Sequence, residues 1–464
     1  MDIDISKGFN PSRFKQLSNL QTYNFYYAYQ SLRPTPGYAK IKQTSYGNTG
    51  RKSFYSVLLG RLLVVIDSFV YAFDNNNDYQ ILNPSLPLST QSGVVFIAEN
   101  DVNQVAISDG QFLFIYDLPS SSFSRAPIPD GVTAGMVDFQ DTYFILNNSS
   151  TNQFYISANN NGLSWDPLEY TRIQNKTVGL AAFNRALMVF GTNSTDIYYN
   201  AGVTPFPYQR ANTVGIEYGC MSPDSIAKGF GFVFWLGINK NSEPVLLVSD
   251  SGQPVPISTE NVAYFLDTLK HPEICDAFVF RLDGIIFYQI NFIYDNVSLL
   301  FNMTEKKFST VTDADSNVSP IRSVARFNET DYAVSRSSGF LYQFDLSVTT
   351  QDDRFVRRGV ITDNFVFRNK KVSMPKLSMY LEQGIERPPN LTDSIPDAEC
   401  YLSISTDKGV TFTQTRRKKF APLGNRKNLF DFFNLGSNRF WTFKMEFVSP
   451  YRICLFSVDC EVMQ

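Results

Sequence analysis

The feature that most constrains this chain is a pattern that returns roughly every 40–50 residues, the spacing of four-stranded propeller blades. Between Arg51 and Ser347 a short apolar or aromatic strand meets a Gly/Asp/Asn turn, a second strand follows, and the unit closes on aromatics with Asp or Asn. Copies include Leu62–Asp74, Val105–Asp117, Tyr143–Ser157, Leu187–Asn200, Phe232–Gly252, Ile285–Asn302 and Tyr332–Asp345. The runs alternate with period two and are punctuated by turns such as Ser108-Asp109-Gly110, where a positive φ costs glycine little. One such unit cannot bury both faces, and a closed ring of units solves that problem. The spacing predicts an all-β chain with a β-propeller of six or seven blades over residues 51–347, preceded by an N-terminal arm and leading strand at 1–50.

Composition agrees with β structure: aromatics make up 15% of the 464 residues, with 41 Phe and 25 Tyr. Helix signal is confined to Ser258–Leu266, where Ser258 or Thr259 can cap and Val262, Phe265 and Leu266 share a face. Beyond about Thr350 the texture changes to charged stretches between candidate strands at Lys376–Leu381, Cys400–Ser405, Asn428–Phe433, Arg439–Phe447 and Arg452–Val462. Residues 351–464 carry 18 basic against 13 acidic side chains, whereas the first 350 carry 23 against 31. The simplest reading is a separate, mildly basic, β-sandwich-like domain at 348–464.

Little in the sequence supports catalysis. A single histidine, His271, rules out HExxH and multi-histidine metal sites and leaves one candidate base for any triad. Neither a GxxxxGK[ST] loop nor a GxGxxG after a strand is present. Cys220, Cys275, Cys400, Cys454 and Cys460 form no CxxC pair and read as small buried hydrophobes of a reducing compartment. The acidic start Met1-Asp2-Ile3-Asp4 lacks the charge and apolar run of a signal peptide, so the Asn-x-Ser/Thr triplets, such as those at Asn175, Asn193 and Asn296, read as compositional. Val57–Phe73, the longest apolar stretch, is interrupted by Arg61 and Asp67 and is not expected to span a bilayer.

Two kinds of motif remain. Ser405-Thr406-Asp407-Lys408-Gly409-Val410-Thr411-Phe412 fits the Asp-box pattern, in which Asp407 accepts turn hydrogen bonds, Gly409 supplies a positive φ and Phe412 packs beneath. Ser157–Trp165 is a looser copy. This box is structural, and the arginines and Tyr–Glu pair of a sialidase are not recognisable. Arg357-Arg358, Arg368 with Lys370-Lys371, and Arg416-Arg417-Lys418-Lys419 are the basic clusters. They read either as contacts to DNA phosphate or an acidic partner, or as solvated hairpin faces and inter-subunit ion pairs. The glycines of Gly229-Phe230-Gly231-Phe232 read as close packing inside an aromatic strand that continues to a buried Trp235.

From about Pro34 onward the chain resembles the tail nozzle proteins of short-tailed phages, also called packaged-DNA stabilisation or head-completion proteins. The resemblance begins at Thr35-Pro36-Gly37, Gly50-Arg51 and Val70-Tyr71 and continues through Val105–Gly110. Its most specific block runs from Phe190 to Gly202 and on through Pro205–Arg210, Gly219-Cys220 and Ser222–Ile226. Phe234–Gly237, Ser405–Gly409 and Leu423-Gly424 follow in order, with Phe412 where the family often has Trp. The resemblance implies a structural virion protein with no enzymatic activity and no cofactor. It implies a ring of like copies, usually a homohexamer, below the portal–adaptor ring. Such a ring contacts tailspikes or tail fibres and a plug or needle protein, and genomic DNA passes through its lumen. The implied location is the virion tail, after assembly in the host cytoplasm and without stable membrane insertion. The competing reading is a phage tail propeller that binds or cleaves glycans, which requires clustered acids at one propeller mouth.

Overall fold

A computed structural model describes residues 1–13, 20–211, 215–250, 252–367, 370–382, 398–420, 429–449 and 452–463. Among these, seven sheets are arranged as blades, each running outward from an innermost strand. The innermost strands are Gly50–Ser56, Phe96–Glu99, Ala134–Gln140, Thr177–Phe183, Ala227–Gly229, Cys275–Leu282 and Ile321–Phe327. They line one central channel together. Of the two blade numbers the repeat allowed, seven is the one formed.

The apolar runs follow from burial on both faces of each blade. In Arg61–Ile66 of blade 1, Leu63 and Val65 pack toward blade 2 while Leu62, Val64 and Ile66 pack toward blade 7. Successive side chains point to opposite faces, so a strand between two neighbours is apolar at every position. In blades 3 to 7 the innermost strand turns back through two residues of positive φ: Asp141-Thr142, Asn184-Arg185, Phe230-Gly231, Asp283-Gly284 and Asn328-Glu329. Such turns match the right-handed twist of the hairpin, and Asp, Asn and Gly tolerate them best. This corrects the reading of Gly229–Phe232. Gly231, at φ +83°, is the second turn residue in open space, and only Gly229 touches a neighbouring strand, at Val279.

Closure comes from the N-terminus. Gly37–Gln43 pairs antiparallel with Phe340–Asp345 and supplies the outer strand of blade 7. Blade 7 also meets blade 1 through Ser53, whose backbone N–H donates to Ser323 Oγ at 3.1 Å. The helix Glu260–Asp267 packs on blade 5; Thr259 caps it by accepting from the Val262 N–H at 3.3 Å, and Val262 and Leu266 are buried.

The C-terminal region is a two-sheet sandwich, and the N-terminal strands Asp2–Ile3, Gln21–Tyr23, Phe25–Ala28 and Ser31–Pro34 belong to it. One sheet orders Phe25–Ala28, Ser31–Pro34, Cys454–Met463, Val372–Glu382 and Leu429–Phe433, with Asp2–Ile3 paired to Cys454–Met463. The other orders Gln21–Tyr23, Arg357–Ile361, Phe440–Val448, Glu399–Ser405 and Thr413–Lys419. Trp441, Phe443, Met445, Leu377, Met379 and Leu455 fill the space between. Tyr23 pairs parallel with Thr310 at the outer edge of blade 6, so one ten-stranded sheet is continuous from propeller to sandwich. No helix among the described residues is long and apolar enough to cross a membrane.

Candidate functional surfaces: the basic strand and the propeller channel

Among the described residues, the strand Thr413–Lys419 pairs on one side only, with Glu399–Ser405. Period two sends alternate residues to opposite faces. Arg416 reaches across the end of the sandwich and donates to the Phe433 and Asn434 carbonyls. Lys418 donates to the Asp431 carbonyl at 2.8 Å, with its ammonium 4.6 Å from the centre of the Phe430 ring. Arg417 faces the other way and pairs with Glu399, donating from Nε to Oε2 at 2.7 Å; these bonds hold the Glu399 carboxyl below its ordinary range. Arg416 and Lys418 therefore tie the two sheets of the sandwich together, a role their position in a charge run does not disclose. Lys419 is exposed on the same strand.

The other basic residues separate. Arg357 is exposed, but Arg358 points inward, is 4% exposed and donates to the Thr349 carbonyl at 3.4 Å. Burial pushes its pKa down to about 10. Adjacent residues of one strand face opposite ways, so Arg358 is corrected from a candidate contact to DNA or a partner to an interior residue. Lys370 and Lys371 are exposed, whereas Arg368 lies outside the described residues, as do Leu423 and Gly424.

The Asp-box residues form the turn their pattern predicts. Ser405 Oγ donates to Asp407 Oδ1 at 2.6 Å and accepts from the Gly409 N–H at 2.8 Å. Asp407 also accepts from the Val410 and Thr411 N–H groups, and these bonds, led by that from Ser405, lower its pKa to about 2. Phe412 is half-buried. In the looser copy Trp165 donates from Nε1 to the Gly162 carbonyl at 2.7 Å. Both are hairpin fasteners.

No group of three or more metal-ligating side chains occurs among the described residues. His271 is exposed and sits 3.0 Å from Glu273. All five cysteines are buried and unpaired; burial pushes Cys220 up to about 12 and Cys460 to about 11, away from thiolate chemistry.

The propeller axis carries charge that no motif announced. Its cavity of about 320 Å³ is lined by all seven innermost strands. At one mouth, Arg322 pairs with Asp224 at 3.3 Å and Arg336 with Asp276 at 3.1 Å. Burial raises the pKa of Asp224 to about 6, against the pull of Arg322. Arg51 turns its guanidinium onto the carbonyls of Asp67, Thr90, Gly93 and Val94, tying blade 1 to the segment leading into blade 2. Toward the other mouth Lys228 pairs with Asp138 at 2.5 Å. These residues come from five blades, so the only sequence signal was a charged side chain beside an apolar innermost strand.

A closed propeller fused edge to edge with a sandwich, with fastened hairpins, defines a β-propeller protein with a second β domain. Residues 72–294 match the family described as Bacteriophage P22 Gp10, beta-propeller, so the chain is similar to that phage family over this span. The match supports a structural protein of a phage tail. No curated protein matches the chain. Similar solved structures include the N-terminal domain of Nup159 (11% identity, 67% of this chain and 95% of that chain, TM-score 0.41). U3-55K is similar at 10% identity, covering 66% and 98%, with a TM-score of 0.43. The computationally designed Ika8 protein is similar at 9% identity, covering 66% and 98%, with a TM-score of 0.41. The propeller assignment rests on the strand pairing itself rather than on these distant likenesses.

Proposed function

We propose that this protein is a tail nozzle subunit: copies close into a ring, a homohexamer, that continues the DNA path below a portal–adaptor ring and holds tailspikes or fibres and a plug. The observation that carries this reading is the family match across the propeller, residues 72–294. The size of the propeller axis adds a constraint. A channel of about 320 Å³ cannot pass a duplex whose major groove alone is about 12 Å wide. Any DNA conduit must therefore lie between copies rather than through a propeller. Heterologous contacts around an axis make such a lumen when the rotation closes. The acidic first 350 residues and the basic remainder suit head-to-tail contact between neighbours, setting register and association rate while apolar contacts supply most of the affinity.

Electron microscopy of the purified full-length protein, with and without a portal–adaptor complex, tests the reading. Closed rings are expected, and a protein that stays monomeric at high concentration under both conditions overturns it. Lys371→Glu with Arg357→Glu then separates two roles for the exposed basic residues. Loss of rings without DNA marks an inter-subunit surface, and normal rings with altered genome retention mark the lumen. Arg416 and Lys418 are unsuitable for this test, because removing them also opens the sandwich.

A further inference from the structure

Among the described residues, the Lys52 ammonium in the propeller channel holds a position that neither folding nor the nozzle reading accounts for. Lys52 lies on the innermost strand of blade 1 and lines both the main cavity and a pocket of about 20 Å³ at the mouth bearing Asp224, Asp276 and Arg322. Its charged neighbours are committed: Arg322 to Asp224, Arg336 to Asp276, Lys228 to Asp138, and Arg51 to backbone carbonyls. The Lys52 side chain has no hydrogen bond and no contact ion pair among the described residues. Water in the channel reaches the side chain, yet the surrounding blades desolvate the ammonium and lower its pKa. Asp224 and Asp276 attract it through space, but each already pairs directly with an arginine, Arg322 and Arg336, and a desolvated ammonium with no contacting partner is costly.

The walls add donors. Each innermost strand ends its sheet, so one backbone edge of every blade is turned toward the axis. Two N–H groups of these strands are taken, Ser53 by Ser323 Oγ and Ala182 by Asp138 Oδ2; any edge N–H without such a protein partner needs water or a ligand. A volume of about 320 Å³ sits at the small end of ligand pockets, which run from about 300 to 1,000 Å³. It suits a small hydrated ion rather than a nucleotide or peptide. Around it, Arg51, Lys52, Lys228, Arg322, Arg326 and Arg336 outnumber Asp138, Asp224 and Asp276.

We propose that the propeller channel is a binding site for a small oxyanion of the phosphate class, held by the Lys52 ammonium and by innermost-strand N–H groups. The anion supplies the partner that Lys52 lacks and ties the innermost strands of several blades to one centre. Binding therefore stabilises the propeller and does not depend on ring assembly.

Thermal unfolding and calorimetry of the full-length protein with inorganic phosphate, at constant ionic strength set by sodium chloride, test this. A saturable rise in Tm is expected, following the linkage of ligand to the folded state. Lys52→Met is expected to weaken phosphate binding by about tenfold or more, as for loss of a charge-assisted hydrogen bond. Without phosphate that variant is expected to melt at or above the wild-type temperature, since it removes an unpaired charge. Lys52→Arg keeps the charge and the Tm rise, as does Lys240→Met, which breaks only a surface pair with Glu217. The proposal is overturned if phosphate gives no saturable effect on the wild-type protein. It is equally overturned if Lys52→Met keeps the full response, or if chloride alone reproduces it.

Discussion

Trp235 is the place where propeller packing is most directly measurable. It is 0% exposed, meets Phe190 edge to face with ring centres 5.1 Å apart, and donates from Nε1 to the Gly219 carbonyl at 3.3 Å. Removing an indole exposes the equivalent of about 150–250 Å² of aromatic surface, which at about 25 cal/mol per Å² is about 4–6 kcal/mol. Alanine retains part of that and the site relaxes in part, so Trp235→Ala is expected to cost about 3–5 kcal/mol. At about 2–4 °C per kcal/mol for a domain of this order, the propeller transition falls by roughly 10 °C. The two remaining tryptophans make the assay specific. Trp165 lies in the same apolar cluster as Trp235, whereas Trp441 lies in the sandwich core. Fluorescence-detected melting of the variant therefore reports the propeller through Trp165 and the sandwich through Trp441. A Trp165 transition unchanged from wild type would refute the packing argument, whatever happens to ring formation.

Three further outcomes are expected. Gly37→Ala puts a Cβ within 2.3 Å of the Val348 and Thr350 carbonyls, so it prises the closing strand from blade 7; limited proteolysis should cut the N-terminal segment faster, and an unchanged digest would count against ring closure there. Asp224 has a folded pKa raised to about 6 from 3.8, so the folded state binds the extra proton and stability from this group is greatest below pH 4 and lost as pH rises through about 6. Asp224→Asn should flatten that decline, and identical pH–stability curves for variant and wild type would show that Asp224 does not titrate in this window. Asp407 shifts the other way, to about 2, so its turn is charged and fastened at every pH above that and loosens only as pH falls through it. Amide exchange at Val410 and Thr411 should accelerate in Asp407→Ala and be no less protected in wild type at pH 4 than at pH 7, once intrinsic rates are allowed for.

Whatever rests on near neighbours in the chain is legible in the sequence itself. Alternation in Leu62–Asp74 and Val105–Asp117, aromatic content and regularly spaced turns specify paired strands, and the Asp-box at Ser405–Phe412 specifies its own hairpin because every partner lies within a few residues. The helix at Glu260–Asp267 is legible for the same reason, through the cap at Thr259. Tertiary structure decides whatever depends on a partner distant in sequence. Gly37–Gln43 completes the last blade, and no local pattern says which strand it joins. The N-terminal strand Asp2–Ile3 enters the sandwich on the same terms, against Cys454–Met463. Arg358 becomes interior while Arg357 stays exposed because a strand alternates, but which face is buried depends on the opposing sheet. The channel cluster of Lys52, Asp224, Asp276 and Arg322 exists only once the ring closes, when single charges on separate blades converge on one axis and lose their water together.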